Sequence, residues 1–348
     1  MNTVRVGVIG TGVMGERHCR VCANLPRVQL GGVADLDAER GRMVADRYDT
    51  RYFDDVEDLA RDVDGVIIST TTPAHYALAD TCLRHGCHVM LEKPMTDTTE
   101  QAERLVELAA ARGLVLQVGY IERFNPAYTE LKHVTEGMEL IGINIRRLSS
   151  FDASNKDVDV IRDLMIHDLD LVTSYVNLDI EEINAWGRSV SSGQTDHAVA
   201  TIFFKDGPIA TLAASRVTEQ KVRQIEVTAK GAYVEADLLN KSVMVHRRTL
   251  PRYLDVGSTT QYRQESVIEK IFVPSAEPLM LELKHFADCV MENKPSQVPG
   301  TDGLRALELA EIVTAKVHSA DGKSSHREAF DSLDGISSER PQRAIEER

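Results

Sequence analysis

One stretch near the N-terminus restricts this chain more than any other. The apolar run Val4-Arg5-Val6-Gly7-Val8-Ile9 passes without a break into Gly10-Thr11-Gly12-Val13-Met14-Gly15, and a helical pattern follows. A strand that feeds a helix through G-x-G-x-x-G has a specific use for each glycine. Gly10 permits the tight turn, Gly12 lets a pyrophosphate approach the backbone, and Gly15 lets the helix pack closely on the strand. Free amides at the helix start then face the phosphates. Asp35 stands 20 residues beyond Gly15, at the end of the next apolar run, where a carboxylate can take both ribose hydroxyls of NAD. A 2′-phosphate there would meet like charge, at roughly 1 to 4 kcal/mol per charge pair at 4 Å. Leu36 and Asp37 follow, so no arginine adjoins Asp35 in sequence to welcome NADP. NAD is the expected cofactor.

The pattern around this motif predicts the rest of the first domain. Strands are expected at Val4–Ile9, Leu30–Ala34, Gly65–Ser69, His88–Leu91 and Leu114–Val118. Helices are expected near Val13–Leu25, Ala38–Tyr48, Ala74–Arg84 and Thr98–Arg112. Continuously apolar strands suit a sheet covered on both faces, and repeated β-α units imply parallel strands with right-handed crossovers. This is an α/β Rossmann fold, a doubly wound parallel sheet.

After Tyr120 the pattern changes. Asn125-Pro126 starts a helix, Leu140–Leu148 reads as a strand and Ile161–Val176 as a helix. Strand patterns follow at Thr195–Phe204, Pro208–Ala214, Val222–Ala229 and Tyr233–Asp237, then helices at Pro278–Glu292 and Gly303–Ser319. Few helices for so many strands predict an α+β domain with a large, open-faced, mostly antiparallel sheet. A bare face needs a cover, and a second copy of the chain is the expected one, giving a homodimer or homotetramer. The sequence therefore divides into an NAD-binding domain (1–121), a substrate-binding and oligomerisation domain (122–319) and a polar tail (320–348).

Composition narrows the function. A net charge of −14 speaks against a nucleic-acid binder, whose affinity rests on clustered Lys and Arg. No run approaches the ~18 apolar residues of a membrane span, and Met1 leads almost directly into a strand without a leader pattern, so a cytoplasmic protein is expected. Cys19 and Cys22 form a C-x-x-C, but a spacing of three inside the first helix puts both on one face as small buried hydrophobes. No metal site is expected.

Two further groups suit alcohol oxidation. Glu92-Lys93-Pro94 ends the strand at His88–Leu91, on the side where open α/β sheets bind ligands. Asp163 and His167 stand four apart on a helix and share a face. Oxidising an alcohol requires a group to take the hydroxyl proton while hydride leaves carbon, and histidine, with a reference pKa of about 6.5, suits that transfer. Asp163 can bind the same substrate or orient the imidazole.

Taken together, Gly10–Gly15, Glu92-Lys93-Pro94 and the Asp163/His167 pair resemble the Gfo/Idh/MocA oxidoreductase family over roughly residues 3–319. The likeness includes His75 and the approach Gly86-Cys87-His88-Val89 to Glu92. It implies that Lys93, Asp163 and His167 form the catalytic group. It also implies that Thr11, Val13, Met14, Thr70, Thr71, His75, Glu92 and Lys93 join the glycines and Asp35 around the cofactor. The family often has Thr-Pro after the fourth strand, whereas this chain reads Thr70-Thr71-Thr72-Pro73.

Within that family, Gly119–Pro126, Asp163–Asp170 and the stretch from Glu277 to Gly303 are similar to the branch that oxidises UDP-N-acetylglucosamine at its 3-hydroxyl. The resemblance adds Tyr120 and Asn125 to the substrate residues. A UDP-sugar brings a diphosphate, for which Arg123, Arg146, Arg147, Arg216 and Arg223 are candidate partners, because guanidinium forks match phosphate oxygens. The alternatives are a dehydrogenase of a free polyol such as inositol and a silent NAD-sensing regulator. The regulator would be expected to have lost one of Lys93, Asp163 or His167, and all three are present.

Overall fold

The structure is a computed structural model that describes residues 3–151, 157–248, 252–256, 259–263 and 266–321. The chain begins with β1 (Val4–Ile9), α1 (Val13–Asn24), β2 (Val28–Ala34), α2 (Ala38–Arg47), β3 (Tyr52–Phe53) and α3 (Val56–Asp62). It continues through β4 (Gly65–Ile68), α4 (Thr72–Arg84), β5 (His88–Glu92), α5 (Thr99–Arg112) and β6 (Leu116–Gly119). The six strands pair in parallel in the order β3-β2-β1-β4-β5-β6. Strand order reverses between β1 and β4, and the Gly10 turn lies at that switch point, where ligands of such sheets bind.

Val66, Ile67 and Ile68 of β4 and Val89, Met90 and Leu91 of β5 are completely buried, as unbroken apolar runs demand of a sheet covered on both faces. In this first domain two elements, β3 and α3, go beyond the sequence expectations. A two-residue strand has no periodicity to read. Helix α3 is short, and its clearest local signal is the cap, Asp55, whose carboxylate accepts from the Glu57 amide at 2.8 Å.

A 3-10 turn (Ile121–Phe124) leads into α6 (Pro126–Thr135), β7 (Leu140–Leu148), a π-helical turn (Ile161–Met165) and α7 (Ile166–Val176). Then come β8 (Ile180–Arg188), β9 (His197–Phe204), β10 (Ile209–Ser215), β11 (Val222–Ala229), β12 (Ala232–Asp237) and β13 (Ser242–Arg248). The hairpin of β14 (Arg252–Val256) and β15 (Thr259–Arg263) stands apart as a small sheet, and β16 (Ser266–Ile271), α8 (Pro278–Glu292) and α9 (Gly300–Asp321) follow. The polar tail expected from residue 320 lies outside the described residues beyond Asp321.

The second sheet runs β16-β13-β12-β11-β7-β10-β9-β8 and is antiparallel throughout except where β10 pairs with β7. Side chains alternate across it with a period of two. Ile143, Ile145, Ala200, Leu212, Val227 and Val245 are buried on the face that meets α6, α7 and α9. Trp186, Ile209 and Met244 are exposed on the opposite face. Helix α8 follows this sheet in sequence yet packs on the first one, where Leu279, Leu283, Phe286 and Cys289 join Val4, Val6, Val8, Cys19 and Cys22 in one apolar cluster.

Candidate active site

The glycine turn is built as its sequence requires. Gly10 has φ +87°, and a Cβ there would lie 2.7 Å from the Ser69 carbonyl oxygen. A Cβ on Gly15 would lie 1.8 Å from the Gly10 oxygen, so helix and turn touch backbone to backbone. Gly12 differs. Its Cβ would meet nothing within 4 Å, and no side chain caps α1. The first amides of the helix, at Val13 and Met14, therefore open onto free space of the kind a pyrophosphate needs.

Asp35 ends β2 beside this turn. Its Oδ2 accepts from the Thr11 amide at 2.6 Å and the Thr11 hydroxyl at 2.7 Å, and its Oδ1 accepts from the Asp37 amide at 2.8 Å. Arg40, five residues on in α2, donates through Nη2 to Oδ1 at 2.6 Å and through Nε to Oδ2 at 3.3 Å. Burial works against the charged carboxylate, but the bonds from Arg40, Thr11 and Asp37 bring its pKa down to about 2. The sequence reading that no arginine adjoins Asp35 is corrected here. The first turn of α2 folds Arg40 back onto the carboxylate.

On the other side of the turn, Thr70 packs against Gly10 and Thr71 precedes α4, which starts at Thr72 with Pro73 in its first turn. Proline fits there because that amide would have no helical partner. His75 is buried between two loops, with Nδ1 2.9 Å from the Pro94 carbonyl and Nε2 3.2 Å from the Thr70 carbonyl. It pins the Thr70 loop to the Lys93–Pro94 segment.

Glu92 closes β5 under this segment. His18 of α1, fully buried, places Nε2 2.8 Å from Glu92 Oε1. Burial raises the Glu92 pKa, but His18 and then Lys93 outweigh it and hold the carboxyl below its ordinary range. Burial and then the Glu92 charge push the Glu282 carboxyl well above its ordinary range. Sequence reasoning missed His18; its signal was a polar residue one turn past Gly15 on a helix that packs against the sheet.

The next residue reaches across to the second domain. Lys93 Nζ donates to the Asp163 carbonyl at 2.9 Å and lies 3.2 Å from Asp163 Oδ1. Asp163 sits in the π-helical turn, a widened geometry frequent at functional sites, so the single helix expected over 161–176 has two parts. His167 follows in the first turn of α7, and its ring meets Tyr120 edge-on at 6.0 Å. Burial, then the charges of Lys93, Arg147 and Arg223, drive its pKa well below 6.5, so the imidazole is neutral at pH 7. Lys93 and His167 share a cleft of about 630 Å³ with Met14, Glu92, Glu122 and Arg223.

The arginine candidates separate by strand parity and by partner. Arg147 and Arg223 are register partners on β7 and β11 and face the cleft. Arg147 is held by Asp168 at 2.7 Å and Glu122 at 3.0 Å. Among the described residues Arg223 donates to the Leu148 and Val222 carbonyls; burial and then Arg147 bring its pKa down to about 10.

Four substrate candidates stand elsewhere. Arg146, one residue from Arg147, points to the open face and pairs with Gln224 and Glu226. Arg123 is buried against Asp170 at 3.0 Å and against Asp302. Arg216 is buried on Asp196 at 2.8 Å. Asn125 caps α6 by accepting from the Ala127 amide at 3.1 Å. Arg17 and Lys221 line the cleft without having been singled out. Neither they nor Arg223 forms an ion pair among the described residues.

Cys19 and Cys22 lie in the apolar cluster under α8. Burial pushes the Cys19 thiol up to about 12 and Cys22 higher still, which leaves little reactive thiolate. No helix among the described residues is long and apolar enough to cross a membrane.

Comparison with known proteins agrees with the two-domain fold. The Gfo/Idh/MocA sequence model, an oxidoreductase family with an NAD-binding Rossmann fold, matches residues 4–120, and the family's C-terminal domain matches residues 146–235. UDP-N-acetylglucosamine 3-dehydrogenase of Acidithiobacillus ferrooxidans is 33% identical over 310 residues, 88% of this chain and 95% of that protein. A crystal structure of that enzyme superposes with a TM-score of 0.81 at 32% identity, covering 92% of this chain and 99% of the other. Myo-inositol 2-dehydrogenase of Thermotoga maritima is 26% identical over 88% of this chain and 94% of its own length.

Proposed function

The chain belongs to the Gfo/Idh/MocA oxidoreductase family, and from that premise we propose that it oxidises the 3-hydroxyl of UDP-N-acetylglucosamine, or of a related nucleotide sugar, to a ketone. Family membership makes it an NAD-binding oxidoreductase acting on CH–OH groups. The observation that carries the finer reading is one cleft holding both a lysine ammonium and a neutral imidazole. Lys93 is fixed there by Asp163, and Arg17, Lys221 and Arg223 line the same space with no ion pair of their own among the described residues.

Each residue then has a task. Lys93 donates a hydrogen bond to the reacting oxygen and steadies its growing negative charge. His167, neutral at working pH, takes the hydroxyl proton. Asp163 fixes the ammonium, and Glu92 with His18 fixes the backbone from which Lys93 projects. Bound NAD, on Gly10–Gly15 and Asp35, supplies the hydride acceptor. The cations of the cleft suit a diphosphate, and the volume falls within the range of small-molecule sites. The exposed sheet face bearing Trp186, Ile209 and Met244 is read as the surface that joins copies of the chain.

A free cyclic polyol is the second reading, supported by the inositol dehydrogenase relative. Reduction of NAD is measured with UDP-N-acetylglucosamine, myo-inositol and simple hexoses, and the product is identified by NMR. Turnover of the nucleotide sugar to its 3-ketone is the expected result. Turnover of unphosphorylated polyols alone rejects the proposal.

A further inference from the structure

Asp35 accepts from the Thr11 amide, the Thr11 hydroxyl, the Asp37 amide, and two nitrogens of Arg40. A carboxylate has about four lone-pair sites, so these donors already saturate it. The adenosine ribose of NAD presents two hydroxyls to the same carboxylate, and room for them requires donors to leave.

The donors differ in how easily they let go. The Thr11 amide belongs to the glycine turn, and the Asp37 amide opens α2, whose cap Asp37 is. Releasing either one disturbs the backbone. Arg40 is held only by its side chain, which is 44% exposed while that of Asp35 is 4% exposed. It can swing away with no change in fold, and its second acidic contact, Asp37 at 3.4 Å, keeps it beside the pocket.

We propose that Arg40 is the second half of the cofactor selector: it yields Asp35 to the ribose of NAD, and it is the cation that would hold a 2′-phosphate if Asp35 were absent. Discrimination here is then set by a pair. Asp35 excludes the phosphate by its charge and by occupying the Arg40 guanidinium. Arg40 in turn competes with the hydroxyls for the carboxylate and weakens NAD binding. Neither statement depends on which sugar the enzyme oxidises.

The test is equilibrium binding of NADH and NADPH, followed by nicotinamide fluorescence, to the intact chain and to Asp35→Ala, Arg40→Met and the double variant. Arg40→Met is expected to tighten NADH binding about tenfold and to leave NADPH weak. Asp35→Ala is expected to tighten NADPH about tenfold or more, and adding Arg40→Met to it should remove that gain. Asp35→Asn replaces Asp35→Ala if the alanine variant unfolds. NADPH bound equally well with and without Arg40 overturns the proposal, as does weaker NADH binding in Arg40→Met.

Discussion

The ammonium of Lys93 lies 2.9 Å from the backbone oxygen of Asp163 and 3.2 Å from its carboxylate, although 70 residues and a change of domain separate them in the chain. The contact ties the end of β5 to the π-helical turn before α7 and sets the lysine in the cleft that His167 lines. Its consequences can be measured.

Removing either group should cost chemistry and spare the cofactor. Lys93→Ala and His167→Ala are each expected to lower kcat by ~10²–10⁴, the range for acid–base groups. NADH binding, followed by fluorescence, should stay within a few-fold because neither change touches Gly10–Gly15 or Asp35. Near-normal turnover in both variants would remove their assigned roles.

The second and third glycines of the motif, Gly12 and Gly15, should respond differently to alanine. At Gly15 a methyl would fall 1.8 Å from the Gly10 oxygen, so Gly15→Ala should lower Tm sharply or prevent folding. At Gly12 the methyl meets open space. Gly12→Ala should keep its Tm and weaken NADH binding by about tenfold or more, because the methyl stands where the pyrophosphate approaches. Thermal melts and titrations on the same preparations check both halves.

The pH dependence follows from the depressed His167 pKa. An imidazole that stays neutral well below pH 6.5 keeps kcat/KM level through 6.5, with the acid limb at lower pH. The nearby cations disfavour the imidazolium, so removing one must raise the pKa. Arg223→Gln should move the acid limb upward. A limb that stays in place would mean that another group governs it.

Arg216 should act on stability. Its guanidinium and the Asp196 carboxylate are both almost wholly buried, and Arg216→Ala leaves that carboxylate without its cation. Breaking such a pair costs about 3–5 kcal/mol, to be read from urea unfolding. Protein that remains folded should show an unchanged KM for the sugar. A large rise in KM at normal stability would return Arg216 to the substrate site.

Thiol chemistry should be absent from the function. Cys19→Ala and Cys22→Ala are expected to retain turnover, and neither thiol should react with a water-soluble disulfide reagent in the native protein. Rapid labelling would contradict their burial.

What the sequence by itself determined was whatever depends on neighbours along the chain. Val4–Ile9 running into Gly10–Gly15, with Asp35 at the next strand end, dictated the parallel sheet and its nucleotide turn, because strand burial and turn conformation are local demands. The open sheet was legible for the same reason, in the alternation along β9 to β12. Strands without clear alternation, such as β8 and β13, escaped. Tertiary structure alone decided which polar groups meet. Arg146 and Arg147 are one residue apart and read alike, yet strand parity sends the first to the open face and the second to the cleft. Arg123 and Arg216 were equally plausible anion ligands until folding gave them buried carboxylates. His18 under Glu92, Arg40 on Asp35 and Asp163 on Lys93 are likewise pairings made by packing. Periodicity records which way a side chain faces within its own element, and the partner it finds there is fixed by how elements dock.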